Sequence, residues 1–472
     1  RIKLFYEVRK MMIFPLDNNS KTPLYIQMYS EIKKQIQDGS LHSNEKLPSK
    51  KHFMEQYHIS QNTVQNALYL LLEEGYLYSI ERRGYFVSNL ENIFTKSLPS
   101  KTVQKENNIS KVKYDFAYSG VDVQSIPKTI LKKITRDIYD EQNTELLFQG
   151  DIQGYLPLRE SICQYLENSR GFSVSSNQII ISSGTEYLFY IIFKIFDQKI
   201  YGLENPGYKM LQELFTSNQI EFHPIPLDES GIQVEELEKQ KVQIACITPS
   251  HQFPSGIIMP IRRRNELLQW ANSSEERYIV EDDYDSEFKY NGRPIPALKA
   301  IDQKDKVIYM GSFSKSISPA LRVSYMVLPK NLLTVYERKL PYFICPVSTL
   351  SQKILHKFIS EGYFIKHLNR MRTLYKQKRE FIVQSFKKTN ITILGADAGL
   401  HLLLSFPPSF PESKFLADCK KHSIRLYPIR EYYFQENITT NPIFLLGYAS
   451  LEKKQIQEGI TILLKILVSN QE

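Results

Sequence analysis

Cysteine is scarce and widely spaced in this sequence. The four residues Cys163, Cys246, Cys345 and Cys419 include no Cys-x-x-Cys pair and form no cluster with histidine. This spacing disfavours a structural zinc site and a disulfide framework. We therefore expect reduced thiols and no bound metal.

Long apolar runs are also missing. The best candidate, residues 188–196, is interrupted by Lys194 and falls far short of the roughly 20 residues that a spanning helix needs. The first 16 residues mix charged and apolar side chains and lack a signal-peptide core. Met11 or Met12 is a candidate natural start, with residues 1–10 as an upstream extension. We predict no membrane segment and a cytoplasmic location.

The chain is basic, and the excess charge is unevenly distributed. Its 472 residues carry a net charge of +9, and this length accommodates two or three domains. Residues 1–90 hold 12 Lys and Arg against 9 Asp and Glu, residues 91–113 hold 5 against 2, and residues 114–472 hold 43 against 40. This asymmetry favours a polyanionic partner near the N-terminus. An ordinary solvated basic surface explains it equally well.

The N-terminal region has the pattern of three short helices. The first runs from Pro23 to Asp38 and ends at Gly39, and the next two are predicted to begin after the N-caps Ser49 and Ser60. The third helix has an apolar stripe and an opposite face of Asn62, Gln65, Asn66 and Tyr69. Amide side chains can pair with adenine, so this face suits a recognition helix in the major groove of DNA.

A predicted hairpin over residues 76–88 follows the third helix. Its tip carries Arg82 and Arg83 before Gly84, which suits contact with phosphates or the minor groove. A small helical domain with a polar outer face would explain the third helix but would leave this basic tip unexplained.

These segments resemble the GntR-type winged helix-turn-helix. The resemblance rests on Leu47-Pro48-Ser49, on Ser60-Gln61-Asn62-Thr63-Val64, and on Arg82-Arg83-Gly84-Tyr85-Phe86-Val87. It implies a DNA-binding domain over residues 20–90, and Gln61, where the family often has arginine, suggests a preference for A over G. Residues 91–113 are predicted to be a basic linker. The implied DNA contacts come from Lys50, Lys51, Gln61, Asn62, Thr63, Gln65, Asn66, Arg82 and Arg83.

Residues 114–472 have the alternating pattern of an α/β domain. Candidate strands are residues 178–182, 199–203, 243–248, 278–281, 306–310 and 323–328. Several end in polar turns, which is where open α/β sheets bind ligands. The turn Ser183-Gly184-Thr185 leads into the N-terminus of a helix, a natural phosphate site, although an ordinary helix cap explains it as well.

Two further strand ends carry reactive groups. Lys315 follows the strand at 306–310, between Ser312 and Ser314 on one side and Arg322 on the other, and suits a Schiff-base lysine beside a phosphate. A solvated loop lysine is the alternative. Asp282 and Tyr284 share one face of their strand, so a carboxylate could pair with a pyridine nitrogen and a phenol with the ring's 3-oxygen. An acidic strand end exposed to solvent explains them about as well.

Taken in order, these features resemble the fold-type I aminotransferases, and the resemblance spans residues 114–472. It implies an α/β fold with a large, mixed and mostly parallel sheet, a small C-terminal α+β subdomain and the cofactor pyridoxal 5′-phosphate. Lys315 would bind the cofactor covalently, Asp282 and Tyr284 would contact the ring, and Tyr208 would stack on it. The implied phosphate contacts are Ser183, Gly184, Thr185, Ser312, Ser314 and Arg322.

A GntR-type domain joined to an aminotransferase-like domain resembles the MocR/GabR regulators. The resemblance implies a homodimeric transcriptional regulator that binds pyridoxal phosphate and reads a double-stranded DNA operator. An amine or amino-acid effector, or pyridoxal phosphate itself, would change operator binding. A working aminotransferase with a DNA-binding appendage is the alternative, and the winged helix favours regulation. Arg430 and His251 are the candidate effector contacts, whereas Met210 replaces the arginine of the GABA-responsive member and disfavours GABA.

Overall fold

The computed structural model describes residues 14–89, 112–141, 144–290, 296–434 and 441–469. The chain divides into two compact units, Arg1–Asn108 and Ile109–Glu472. The predicted upstream extension at residues 1–10, and residues 91–111 of the predicted linker, lie outside the described residues.

The first unit consists of three helices and a hairpin. Its elements are α1 (Leu24–Gln37), α2 (Lys50–Tyr57), α3 (Gln61–Glu73), β1 (Leu77–Ile80) and β2 (Gly84–Val87), and the two strands pair antiparallel. Both predicted N-caps are confirmed. The hydroxyl of Ser49 accepts the backbone N–H of His52, and that of Ser60 accepts the N–H of Thr63, each at 3.2 Å.

The helices of this unit bury one apolar face each. Met28 and Ile32 of α1 pack with Phe53 of α2 and with the predicted stripe of α3, from which Val64 and Leu68 are fully buried. Since the burial of these side chains fixes the rotation of α3, its amide face is directed to solvent.

The second unit is organised around an eight-stranded sheet. The first strand of the unit, β3 (Tyr114–Asp115), lies outside this sheet. The strands of the large sheet lie in the order β4-β11-β10-β9-β8-β5-β6-β7. β11 and β7 are antiparallel to their neighbours, and the other pairs are parallel. The sheet strands are β4 (Ile179–Ser182), β5 (Tyr201–Asn205), β6 (Phe222–Asp228), β7 (Gly231–Ile232), β8 (Ile244–Ile247), β9 (Tyr278–Asp283), β10 (Val307–Ser312) and β11 (Ser324–Val327).

All six predicted strands of this sheet are confirmed, and two were missed. β6 carries Pro224 and Pro226, and proline argues against a strand because it donates no ladder hydrogen bond. The parallel pairing with β5 and the antiparallel contact with β7 nevertheless hold it in the sheet.

Helices cover the sheet and build the rest of the unit. Among the helices in the described ranges, none is long and apolar enough to cross a membrane. They are α4 (Lys128–Asp140), α5 (Leu156–Arg170), α6 (Thr185–Ile195), α7 (Lys209–Ser217), α8 (Val234–Lys239), α9 (Ile261–Asn272), α10 (Leu298–Ile301), α11 (Lys330–Lys339), α12 (Thr349–Ser360), α13 (Tyr363–Phe386), α14 (Glu412–Lys421) and α15 (Lys453–Ser469).

A smaller antiparallel sheet forms the C-terminal part, as predicted for a mixed α/β unit with a small α+β subdomain. Its order is β12-β13-β16-β15, while β14 pairs in parallel with β3. The strands are β12 (Thr392–Leu394), β13 (His401–Ser405), β14 (Ile424–Arg425), β15 (Tyr427–Pro428) and β16 (Ile443–Gly447).

The pairing of β9 with β10 brings the candidate site together. The two strands run parallel, with Asp282 opposite Met310 and Asp283 opposite Gly311. The carboxyl ends of both strands therefore meet at one edge of the sheet, where Ser312 ends β10.

Candidate functional site

A cavity of about 200 Å³ lies at this edge of the large sheet. Nine of the ten residues predicted to hold the cofactor line its wall. The exception is Ser183, whose backbone carbonyl oxygen lies 3.4 Å from a nitrogen of Arg322. The predicted residues in the wall are Gly184, Thr185, Tyr208, Asp282, Tyr284, Ser312, Ser314, Lys315 and Arg322.

The amine of Lys315 is held by the segment that follows β3. Its Nζ donates to the carbonyl oxygen of Tyr118 at 2.6 Å and lies 4.8 Å from the centre of the Tyr118 ring. Burial lowers the pKa of Lys315 to about 8, although the charge of Asp285 acts in the opposite direction. A larger share of this amine is therefore uncharged near neutrality than in an ordinary lysine, which suits a nucleophile.

Asp282 presents an unsatisfied carboxyl group to the cavity. Burial, followed by the charges of Asp283 and Asp285, raises the pKa of Asp282 to about 7. Within the described ranges it forms no hydrogen bond or ion pair, whereas Asp283 pairs with Arg170 at 2.7 Å. A half-buried carboxyl that lines the cavity and has no protein partner fits a cationic ligand atom, such as a protonated ring nitrogen.

Aromatic side chains form one side of the cavity. The hydroxyl of Tyr284 donates to the carbonyl oxygen of His251 at 2.9 Å. The ring of Tyr208 stacks on Phe253 with centroids 4.0 Å apart and stands edge-on to Tyr284 at 5.7 Å. Sequence reasoning missed Phe253 and Tyr118, because each comes from a turn whose local pattern indicates no binding role.

The opposite end of the cavity fits a phosphate group. Gly184 precedes α6 with φ +97°, and a Cβ atom there would lie only 2.3 Å from Nη2 of Arg322. Glycine is therefore required for both its backbone conformation and its small size. The helix N-terminus, the guanidinium group and the hydroxyls of Ser312 and Ser314, whose oxygens are 2.9 Å apart, provide donors for an anion.

Glu204, at the end of β5, is a buried carboxyl that the sequence did not indicate. One of its oxygens accepts from the backbone N–H and the hydroxyl of Thr248, at 3.1 and 2.6 Å, and the other has no hydrogen-bond partner. Burial raises the pKa of Glu204 to about 7. Glu204 and Asp282 both line a small adjoining cavity, and the charge of Glu204 also raises the pKa of Asp282.

The two predicted effector contacts, His251 and Arg430, do not line this cavity, and their role in effector binding stays a prediction. His251 is buried, with Nδ1 3.0 Å from a carboxylate oxygen of Asp285. Arg430 lies in a short helix over residues 429–432, where it forms an ion pair with Glu412 and stays half exposed. Both side chains are oriented by tertiary partners that the sequence pattern did not identify.

The first unit presents a separate polar surface. Gln61, Asn62, Gln65 and Asn66 of α3 are exposed, while Thr63 is half-buried. These amides share the outward face because the opposite face of α3 is buried. Such a surface offers amide groups to an external partner.

Basic side chains lie on neighbouring elements of this unit. Arg82 and Arg83 are exposed at the hairpin tip. Nζ of Lys50 lies 5.7 Å from the centre of the Tyr85 ring, and Lys51 forms a 3.8 Å ion pair with Glu55. The unit thus offers positive charge beside its amide face, which suits a phosphate backbone.

The fold and both sites define an aminotransferase-type domain joined to a DNA-binding module. The family described as aminotransferase class I and II matches residues 117–462, and the gntR family of bacterial regulatory proteins matches residues 24–87. The chain belongs to the MocR-type regulators, which combine these two domains and whose cofactor is pyridoxal phosphate.

Known proteins support this assignment. The HTH-type transcriptional regulator YdeL of Bacillus subtilis (strain 168) is 37% identical, covering 94% of this chain and 97% of YdeL. The probable rhizopine catabolism regulatory protein MocR of Rhizobium meliloti is 28% identical, covering 95% and 94%. The structure of a Pyrococcus horikoshii kynurenine aminotransferase matches with a TM-score of 0.68 and 24% identity, over 81% of this chain and 99% of that one, and shows the fold.

Proposed function

We propose that the cavity binds pyridoxal 5′-phosphate through Lys315 and that its occupancy controls binding of the first unit to an operator. The observation that carries this proposal is a lysine of lowered pKa in the same cavity as an unpartnered carboxyl, Asp282. These are the two groups that an aldehyde cofactor with a protonated ring nitrogen needs, one as nucleophile and one as counter-charge.

Each residue of the cavity has a defined role in this proposal. Lys315 would hold the cofactor through its amine and Asp282 would pair with the protonated ring nitrogen. The hydroxyl of Tyr284, which donates to the carbonyl oxygen of His251 here, would turn to donate to the ring's 3-oxygen. Tyr208, already stacked on Phe253, covers the ring. The phosphate contacts are Ser183, Gly184, Thr185, Ser312, Ser314 and Arg322.

The first unit supplies the output. Asn62, Gln65 and Asn66 read base edges in the major groove, and Arg82 and Arg83 contact phosphates or the minor groove. Because operator half-sites are commonly paired, two copies of the chain bind as a homodimer. The DNA partner places the protein in the cytoplasm. The further contacts on this surface are Lys50, Lys51, Gln61 and Thr63.

An amine or amino acid is one class of signal, and pyridoxal phosphate itself is the other. An effector amine would compete with Lys315 for the cofactor's aldehyde carbon, and Lys315 would then be present as a free amine. That change shifts the balance between conformations of different operator affinity. When bound, the cofactor supplies an electron sink, so slow transamination is a second candidate function, favoured by the presence of both Lys315 and Asp282.

A spectral titration combined with DNA binding tests the proposal. Purified protein is titrated with pyridoxal phosphate and then with a panel of amines and amino acids, and each hit is tested for its effect on operator affinity. Linkage requires that an effector and the operator change each other's affinity by the same factor. An amine response without any change in DNA affinity, together with keto-acid release over many turnovers when a keto-acid acceptor is supplied, would instead favour the enzyme. Equal operator affinity of cofactor-free and cofactor-loaded protein would exclude direct cofactor sensing.

A further inference from the structure

A carboxylate group stands at the phosphate end of the cavity. Glu186 lies in the first turn of α6, and its Oε2 is 3.0 Å from Nη2 of Arg322. Both side chains line the cavity. A Cβ atom placed on Gly184 would lie 2.5 Å from the same Glu186 oxygen and 2.3 Å from the same Arg322 nitrogen. The ion pair therefore closes over the glycine turn that suits a phosphate.

Glu186 shares both electrostatic partners that a phosphate group would use there. One is the guanidinium of Arg322. The other is the N-terminus of α6, whose free N–H groups and dipole favour negative charge. Arg322 is further oriented by the carbonyl oxygen of Ser183 at 3.4 Å. Two anions would therefore compete for Arg322: the Glu186 carboxylate and a bound phosphate group. The phosphate group must either displace the carboxylate or bind beside it.

The ion pair has little structural value of its own. The Arg322 side chain is 48% exposed and that of Glu186 is 28% exposed, and pairs in such an environment contribute little to folding. Met210 and Pro319, which also line the cavity, are exposed as well. A change of charge at position 186 should therefore alter ligand binding without unfolding the domain.

We propose that Glu186 weakens binding of the cofactor's phosphate group, so that the site fills and empties with the concentration of free pyridoxal phosphate. This inference rests on the proposed function, since it assumes that the cavity binds the cofactor. A site that holds its cofactor permanently can report only a second ligand. Where a side-chain anion such as Glu186 competes with the phosphate group, the occupancy of the site can follow the concentration of the free cofactor.

The test compares cofactor affinity in three full-length proteins freed of cofactor: wild type, Glu186→Gln and the matched control Glu213→Gln. Glu213 is an exposed carboxylate on the neighbouring helix α7. Binding is followed by cofactor absorbance and by competition with inorganic phosphate. We expect Glu186→Gln to bind pyridoxal phosphate and inorganic phosphate about tenfold more tightly than wild type. Glu213→Gln should match wild type.

Two further arms separate charge from shape. Affinity for pyridoxal, which lacks the phosphate, should be unchanged in Glu186→Gln. Glu186→Asp keeps the charge and should remain close to wild type. Equal affinity of Glu186→Gln and wild type for pyridoxal phosphate would overturn the inference, as would equal tightening for pyridoxal or tightening in Glu186→Asp. If the wild type binds no pyridoxal phosphate at all, the proposed function itself fails, and this outcome is distinct from the others.

Discussion

The side-chain nitrogen of Lys315 lies 2.6 Å from the backbone carbonyl oxygen of Tyr118. Tyr118 follows β3, close to the start of the second unit and to the predicted linker at residues 91–113. The ring of Tyr118 also packs on Phe253 at 4.4 Å. This hydrogen bond therefore joins the candidate cofactor lysine to the segment that follows β3, which is near the linker in the sequence.

Lys315→Ala should abolish covalent cofactor binding and the effector response while leaving basal operator affinity within about twofold. The reason is that Lys315 provides the only proposed covalent link, and it belongs to a different unit from the DNA-contacting residues. Borohydride reduction of the imine before denaturation, followed by mass spectrometry, measures covalent cofactor binding, and a DNA-binding titration measures operator affinity. Lys330→Ala, at an exposed lysine, is the control. A full effector response in Lys315→Ala would contradict the sensor mechanism.

The rate of covalent cofactor binding should rise with pH and level off above about 8. Burial lowers the pKa of Lys315 to about 8, and only the uncharged amine is nucleophilic. Below that pH the rate should increase about tenfold per pH unit. Stopped-flow absorbance between about pH 6 and 10 checks this. A rate still rising steeply at about pH 9.5 would mean that the lysine has an ordinary pKa.

Asp282→Asn should stabilise the cofactor-free protein at alkaline pH and weaken cofactor binding. Burial raises the pKa of Asp282 to about 7, above its unfolded value near 4. The folded state thus holds a proton that the unfolded state has lost, and stability falls as pH rises from about 4 to about 7. Asparagine cannot ionise and avoids this loss, so above pH 7 the variant should be more stable than wild type by up to about 4 kcal/mol, the equivalent of about three pKa units.

Denaturant titrations of both proteins at about pH 5 and 8 measure this difference. The gain should shrink at the lower pH, where the wild-type carboxyl is protonated. A variant less stable than wild type at both values would show that the carboxylate has a stabilising partner. Cofactor affinity of the same samples reports the loss of the proposed contact with the ring nitrogen.

Gly184→Ala should weaken phosphate-dependent cofactor binding by at least about 100-fold. The added methyl group would lie 2.3 Å from Arg322, and the backbone has φ +97°. Gly171→Ala is a control for backbone strain, since Gly171 has φ +79° but its added Cβ would meet its nearest neighbour at 3.9 Å. If both variants lose the same amount of cofactor affinity, backbone strain is responsible, and not the loss of space for the phosphate group between Gly184 and Arg322.

Substitutions in the first unit should separate base reading from phosphate contact. Asn66→Ala should cost about 1–3 kcal/mol of operator affinity and relax sequence preference, because an amide can pair with a base edge. Arg83→Ala should weaken binding to all sequences and reduce the dependence of log affinity on log salt concentration by about 1. Fluorescence anisotropy with operator and scrambled DNA at several salt concentrations measures both. Lys414→Ala, exposed in the second unit, is the control.

Several features of the fold were predictable because they depend on near neighbours along the chain. The N-caps Ser49 and Ser60, the buried stripe of α3 and the six apolar strands follow from periodicity and from turn chemistry. The order of the glycine turn, Asp282, Tyr284 and Lys315 was also readable. The convergence of these residues in one cavity then follows from the rule that parallel strands place ligands at their carboxyl ends.

Other features depended on contacts between distant parts of the chain. Tyr118 meets Lys315 across almost 200 positions, and Phe253 comes to lie under Tyr208. Arg430 is paired with Glu412 instead of facing the cavity. No local pattern specifies such partners, because a side chain's direction is set by packing and charge pairing in three dimensions.

The sequence by itself therefore determined the two domain types and the cofactor class, and it predicted Lys315 as the reactive lysine. Only the tertiary structure decided the electrostatic state of the site: the burial that shifts the pKa values of Lys315 and Asp282, and the pairing of Glu186 with Arg322. Residue identity fixes which chemistry is available, whereas desolvation and charge proximity, which exist only in the folded chain, set how strongly each group acts.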